Sequence, residues 1–125
     1  MKGLKITIGD TALEVELLEN ETAAALLEAL PFSSRASTWG DEVYFSVPVR
    51  VELEEAFARE VVQVGDVAYW PEGPALCLFF GPTPISAPGE IRPASPVTLV
   101  GRIVGDPLIL QKVKGGKEVR VKKAR

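Results

Sequence analysis

Histidine is absent from the 125-residue chain. That removes the Ser-His-Asp triad, the Cys-His pair and every imidazole metal ligand. No side chain with an ordinary pKa is left to titrate between about pH 6 and 8. The single cysteine, Cys77, makes neither an internal disulfide nor a thiolate zinc site. No apolar run approaches the roughly 18 residues that a membrane span needs. The opening "MKGLKITIGD" alternates in polarity, without the apolar stretch of a secretory signal. These absences predict a cytoplasmic protein without a membrane partner. Residues prone to heat damage are equally scarce, with one Met, one Asn and the two glutamines Gln63 and Gln111. Together with ten prolines, this composition predicts a thermophilic source. Neither a Walker-type loop nor a dinucleotide fingerprint occurs, so no cofactor is expected. The acids of "VELEEAFARE" are too local to cage an ion and have Arg59 among them, and no metal site is expected there.

Charge is unevenly spread. The net charge is −3, but residues 112–125, "KVKGGKEVRVKKAR", carry seven Lys or Arg against one Glu. The other 111 residues hold the remaining seven basic and 16 acidic groups. An acidic body repels phosphates, and the basic end lacks interleaved aromatics for base stacking, so nucleic acid is not expected as a partner.

Periodicity predicts a mostly β chain forming one domain over residues 1–125. "LKITI" (4–8) and "LEVEL" (13–17) alternate as half-buried strands, with Lys5 placed to face Glu14 or Glu16. In "NETAAALLEALP", Ala23, Leu26, Leu27 and Leu30 recur at helical spacing. Asn20 is placed to cap that helix and Pro31 to end it, which predicts one main helix over residues 21–30. Residues 43–53 alternate again, with a bend at Pro48. Further strands are expected in "VVQVGDVAYW", "ALCLFF" and "VTLVGRIVG". A last hairpin is expected in "LILQKVKGGKEVRV", turning at Gly115-Gly116. About eight strands with regular turns point to a closed antiparallel β-barrel.

"ALCLFF" (75–80) raises a question of cover. Leu76, Leu78 and Phe80 alternate with Ala75, Cys77 and Phe79, so both faces are apolar. One set is expected to fill the barrel, and the other to lie under a cap helix, a loop or a ligand, with the helix around Leu26 and Leu27 as the first candidate cover.

Three segments, taken in order, resemble a known group. They are "LPFSSRASTWGDEVYF" (30–45), "GDVAYWPEGPALCLFFGPTP" (65–84) and "GEIRPASPVTLVGRI" (89–103). The chain is similar over nearly its whole length to small prokaryotic proteins with a cyclophilin-like barrel, a group of unknown function. The resemblance implies a closed cyclophilin-like barrel of about eight strands with helical caps. Cyclophilins proper are peptidyl-prolyl isomerases whose motif sets an arginine after a Phe-His pair. This chain has no such motif, and Arg35 in "SSRAS" is the nearest analogue in kind.

The candidate binding residues follow from type and place. Arg35, Trp39 and Tyr44 lie between the helix and the long strand, where an arginine beside aromatics suits a carboxylate or a peptide carbonyl. Trp70-Pro71 and Phe80-Gly81-Pro82-Thr83-Pro84 form stiff turns, with Thr83 offering a hydroxyl. The expected function is binding of a small molecule or a proline-containing peptide by Arg35, Trp39, Tyr44, Trp70, Phe80 and Thr83. The alternatives are an isomerase centred on Arg35 and a subunit that docks on an enzyme.

Overall fold

Alternation becomes ladder in the first two strands. β1 (Gly3–Ile8) and β2 (Thr11–Leu17) pair antiparallel, burying Leu4, Ile6, Ile8, Leu13, Val15 and Leu17 on one side. Lys5 stands directly opposite Glu14, an opposite-charge pair that favours this register. The structure is a computed structural model that describes residues 2–124; Met1 and Arg125, at the ends of the expected domain and of the basic segment, lie outside the described residues.

The helix α1 (Glu21–Glu28) is fixed at its first turn by side chains from two directions. Asn20 Oδ1 accepts from the Ala23 N–H at 2.8 Å, while Asn20 Nδ2 donates to the Leu99 carbonyl at 3.0 Å. Glu54 Oε1 accepts from both the N–H (2.7 Å) and the hydroxyl of Thr22. Orphan N–H groups of the helix start are thereby satisfied, and the same bonds tie the helix to distant chain. Ala23 and Leu26 are buried in the main core, and Leu27 is half-buried against it.

The remaining strands are β3 (Phe32–Arg35), β4 (Ser37–Thr38), β5 (Glu42–Ser46), β6 (Ala58–Arg59), β7 (Asp66–Trp70), β8 (Ala75–Phe79), β9 (Val97–Val104) and β10 (Glu118–Lys123). Eight of the ten have four or more residues. The sheet order is β3-β10-β1-β2-β9-β7-β8-β5-β4, every pairing is antiparallel, and β6 adds to β9. The expected closed barrel is corrected here. β3 and β4 stand at opposite ends of that order and share no ladder, so the sheet is not closed. They are nevertheless successive in the chain, separated only by the buried Ala36, and β3 approaches β5. The sheet curls round the core, and the chain itself crosses the gap between its ends.

Three other expectations change. The strand expected over 43–53 stops at Ser46, because the following backbone bonds to side chains from inside the curl. Tyr69, fully buried, donates its hydroxyl to the Val49 carbonyl (2.9 Å) and accepts from the Val51 N–H (3.1 Å). The Glu54 N–H donates to Thr98 Oγ1 at 3.2 Å. The expected Gly115-Gly116 hairpin is absent: residues 107–112 form a 3₁₀ helix, started by Pro107 and by Asp106, whose Oδ1 accepts from the Leu108 N–H. β10 pairs instead with β1 and β3, so Lys122 and Lys123 are ladder residues rather than a free basic end.

The third change concerns the outer cover of β8, which is a loop, one of the covers expected, and not the helix. Leu76, Leu78 and Phe80 do enter the main core, which α1 closes. Cys77 and Phe79 face the other way, into a second cluster with Val62, Ala68, Ile91 and Val97. Their cover is the long connection between β8 and β9, residues 80–96, anchored by the Val62–Ile91 bridge. No helix among the described residues is long and apolar enough to cross a membrane.

Two substitutions test this account. Leu26→Ala is expected to cost about 2–5 kcal/mol and Leu27→Ala clearly less, read as urea-unfolding midpoints. Tyr69→Phe is expected to cost about 1–3 kcal/mol, since it strands a carbonyl and an N–H inside the curl. A Tyr69→Phe protein as stable as the parent would show that these groups find other partners.

Candidate functional site

The outer face of β5, β8, β7 and β9 is built by period-two alternation. Val43 and Phe45 point into the core, which turns Glu42 and Tyr44 outward. Tyr44 pairs with Cys77, and Cys77 with Ala68, across adjacent ladders. Trp70 and Val97 complete the same face. The 80–96 connection then crosses above, bringing Pro93 and Ala94 over the strands. Between strands and strap lies a pocket of about 150 Å³ lined by Trp39, Glu42, Tyr44, Trp70, Cys77, Pro93, Ala94 and Val97.

Each wall is held in place. Trp39 sits on the turn between β4 and β5, where its N–H donates to the Glu42 carbonyl (2.9 Å) and the Glu42 N–H donates back (3.2 Å). Gly40 in that turn has φ +59°, and a Cβ there would lie 2.8 Å from Pro84 Cδ and 2.9 Å from the Pro82 carbonyl oxygen. Glycine is therefore required twice over, by conformation and by close approach. Asp41 clasps the strap from both sides: its N–H donates to the Pro82 carbonyl (2.9 Å) and its carbonyl accepts from the Phe80 N–H (3.0 Å). Trp70 Nε1 donates to Ser95 Oγ at 2.6 Å, which fixes the indole against the far end of the strap.

Glu42 is the unusual member of this lining. The residue is only 5% exposed, and its Oε1 is shut from solvent without a hydrogen-bond partner among the described residues. A buried carboxylate oxygen without a donor is costly. Burial accordingly raises the Glu42 carboxyl above its usual range, partly offset by a hydrogen bond from the Cys77 thiol. Burial likewise pushes the Cys77 thiol well up, and the neighbouring Glu42 charge adds to that, so the sulfur is not a thiolate nucleophile.

The family model described as Cyclophilin-like matches residues 2–122. The chain belongs to the cyclophilin-like family. Among solved structures, this cyclophilin-like chain is similar to the solution structure of a hypothetical protein from Archaeoglobus fulgidus. The two are 48% identical, with a TM-score of 0.83, over 98% of this chain and 95% of that one. No curated protein matches it.

Of the six residues singled out in the sequence, the structure gathers Trp39, Tyr44 and Trp70 around the pocket. The other three stand elsewhere. Arg35, on β3 opposite Glu118, donates from Nη1 to the Gly116 carbonyl at 2.9 Å and does not line the pocket. Phe80 is buried in the main core. Thr83 is buried within the strap, donating its hydroxyl to the Arg92 carbonyl, while its N–H donates to Ser86 Oγ at 2.9 Å. Ser86 Oγ also accepts from the Arg92 N–H at 2.9 Å, so Thr83 and Ser86 shape the strap that carries Pro93.

Glu42 went unnoticed in the sequence because one acid at the start of an alternating run reads as a solvated strand end. Its position two residues before Tyr44 puts both on one face. Only the pairing with the apolar β8, and the strap above, make that face a buried one.

Glu42 has a consequence for stability. A carboxyl raised in the folded state favours folding most at low pH, below the usual glutamate range. That contribution is lost as pH rises through the raised value. Glu42→Gln, which cannot ionise, is therefore expected to melt higher than the parent at neutral pH. The gap should narrow as pH falls toward 4 (about the ordinary glutamate value). A gap that stays constant across a pH series of thermal melts would mean that Glu42 is not held in an unfavourable charged state.

Proposed function

We propose that this cyclophilin-like protein is a binding protein whose pocket takes one small molecule, or one side chain of a peptide, between Trp39, Tyr44 and Trp70. The observation that carries this reading is convergence: both tryptophans of the chain, one from a turn and one from the end of β7, line one apolar pocket together with a tyrosine. Large aromatics usually go to a core or an interface, and here they border a cavity instead. An apolar cavity on the order of 150 Å³ admits a benzene-sized group. The site therefore suits a head group or a single ring rather than a whole cofactor.

The isomerase alternative rests on Arg35. That side chain lies outside the pocket and already donates to a backbone carbonyl. The pocket itself offers no guanidinium to polarise a prolyl amide, which favours binding over turnover.

Both tryptophans report on the site, so intrinsic fluorescence and the two indole N–H resonances read its occupancy directly. A panel of small apolar ring compounds and short proline peptides is expected to contain binders that shift both indole signals. Tyr44→Ala and Trp70→Ala should weaken binding at least about tenfold, as lost aromatic anchors do, while Arg35→Ala leaves it unchanged. Proline-peptide isomerisation should show no acceleration. Binding that survives both aromatic substitutions but vanishes with Arg35→Ala would move the site to β3 and overturn the reading.

A further inference from the structure

We infer that the group this pocket selects is a protonated organic amine, held by its N–H on the Glu42 carboxylate with its carbons against the aromatic faces of Trp39, Tyr44 and Trp70. The inference rests on the binding reading above and adds the chemical class of the ligand.

Charge decides the sign of the ligand. Of the residues lining the pocket, Glu42 alone is charged, and no Lys or Arg is among them. The titratable neighbours on that lining are the Tyr44 phenol and the Cys77 thiol, neither of which supplies positive charge. A carboxylate or phosphate ligand would meet an acid with nothing to neutralise it. A cation meets the reverse: one buried negative group, and ring faces whose quadrupoles attract positive charge.

Hydrogen bonding decides which cation. Glu42 Oε1 is buried without a hydrogen-bond partner among the described residues, and the bond to the carboxyl from the Cys77 thiol is weak and neutral. Its neighbours leave it so: Trp70 Nε1 is already engaged with Ser95, and the backbone N–H of Glu42 with Trp39. Buried acceptors are ordinarily satisfied. A primary or secondary ammonium brings the missing N–H donor together with the missing counter-charge. A quaternary ammonium brings only the charge. The raised carboxyl of Glu42 agrees with this, since burial without a counter-ion is what raises it.

Size sets the rest. A cavity of about 150 Å³ takes a short alkyl or single-ring amine, with any longer chain directed out past the strap.

The test uses four probes of similar bulk on the whole protein, read at the two indole N–H resonances. They are n-butylammonium, n-butanol, butyrate and tetramethylammonium. Butylammonium is expected to shift both signals saturably, with affinity at least about tenfold above that of butanol, as charge-assisted hydrogen bonds outweigh neutral ones. Butyrate should leave both signals in place, and tetramethylammonium should bind more weakly than butylammonium. In Glu42→Gln the preference for butylammonium over butanol should disappear, while butanol still binds. That persistence shows the pocket intact.

Equal binding of butanol and butylammonium, tetramethylammonium binding as tightly as butylammonium, or an amine preference that survives Glu42→Gln each overturns the inference. Each of these outcomes leaves the aromatic pocket as a binding site. If none of the four probes, and none of the ring compounds or proline peptides, moves either indole signal, the pocket reading falls and the inference with it.

Discussion

A short strand with two apolar faces governs this molecule. β8 sits between β5 and β7, all five of its residues are buried, and neither of its faces can be given to water. Inside, Leu76 and Leu78 join the main core under α1. Outside, Cys77 and Phe79 need a second cover, and a curled sheet with one helix has none to spare. The 80–96 connection is that cover. Its prolines, the Val62–Ile91 bridge and the Thr83–Ser86–Arg92 bonds make sense as devices that hold irregular chain flat against strands. The pocket follows as a by-product of this arrangement. A strap of prolines and small residues does not pack against a sheet as another sheet would, and the remaining space falls where Trp39, Tyr44 and Trp70 stand.

Buried polar groups, inside the curl and beneath the strap, are treated in two opposite ways. Tyr69 is fully satisfied: its hydroxyl donates to one backbone group and accepts from another, and so organises the stretch after β5 that leaves the sheet. Thr98 and Thr22 are similarly engaged, through Glu54. Glu42 is equally buried, yet has an oxygen left over. The molecule satisfies its other buried polar side chains among the described residues, so Glu42 is the exception.

Much of the fold could be read from alternation and capping. β1 and β2, the Asn20 cap and the inward set of β8 all follow from local patterns whose tertiary setting agrees with them, while the helix expected to run to residue 30 ends at Glu28, before Pro31. The misreadings share one physical cause. Residues 47–53 alternate as a strand does, but after the Val47 bond to Pro74 the Val49 carbonyl and the Val51 N–H bond to the Tyr69 hydroxyl rather than to a neighbouring strand. "LILQK" carries apolar alternation, yet Pro107 and Asp106 commit it to a 3₁₀ turn. In both stretches, side-chain acceptors outcompete a ladder that has no partner within reach. The site was legible in part: the aromatics Trp39, Tyr44 and Trp70 attract attention by type and by their stiff turns. Arg35 attracted the same attention but lies on a strand whose ladder faces Glu118. Glu42 had no local signal, because its burial depends on a strap some fifty residues further along the chain.

The gap between β3 and β4 bears on how anything enters. β4 is two residues long and, among the described residues, forms a ladder on one side only, with β5. Trp39 follows it immediately. One wall of the pocket is therefore mounted on the free margin of the sheet, while the opposite wall, Trp70, belongs to a strand paired on both sides. Local opening is least costly where the fewest ladder bonds must break. Moving Trp39 would therefore break the short β4–β5 pairing, but also the Trp39–Glu42 bonds and the clasp of Asp41 on Pro82 and Phe80. The strap that covers β8 thus also braces the margin that incomplete closure leaves with a single ladder.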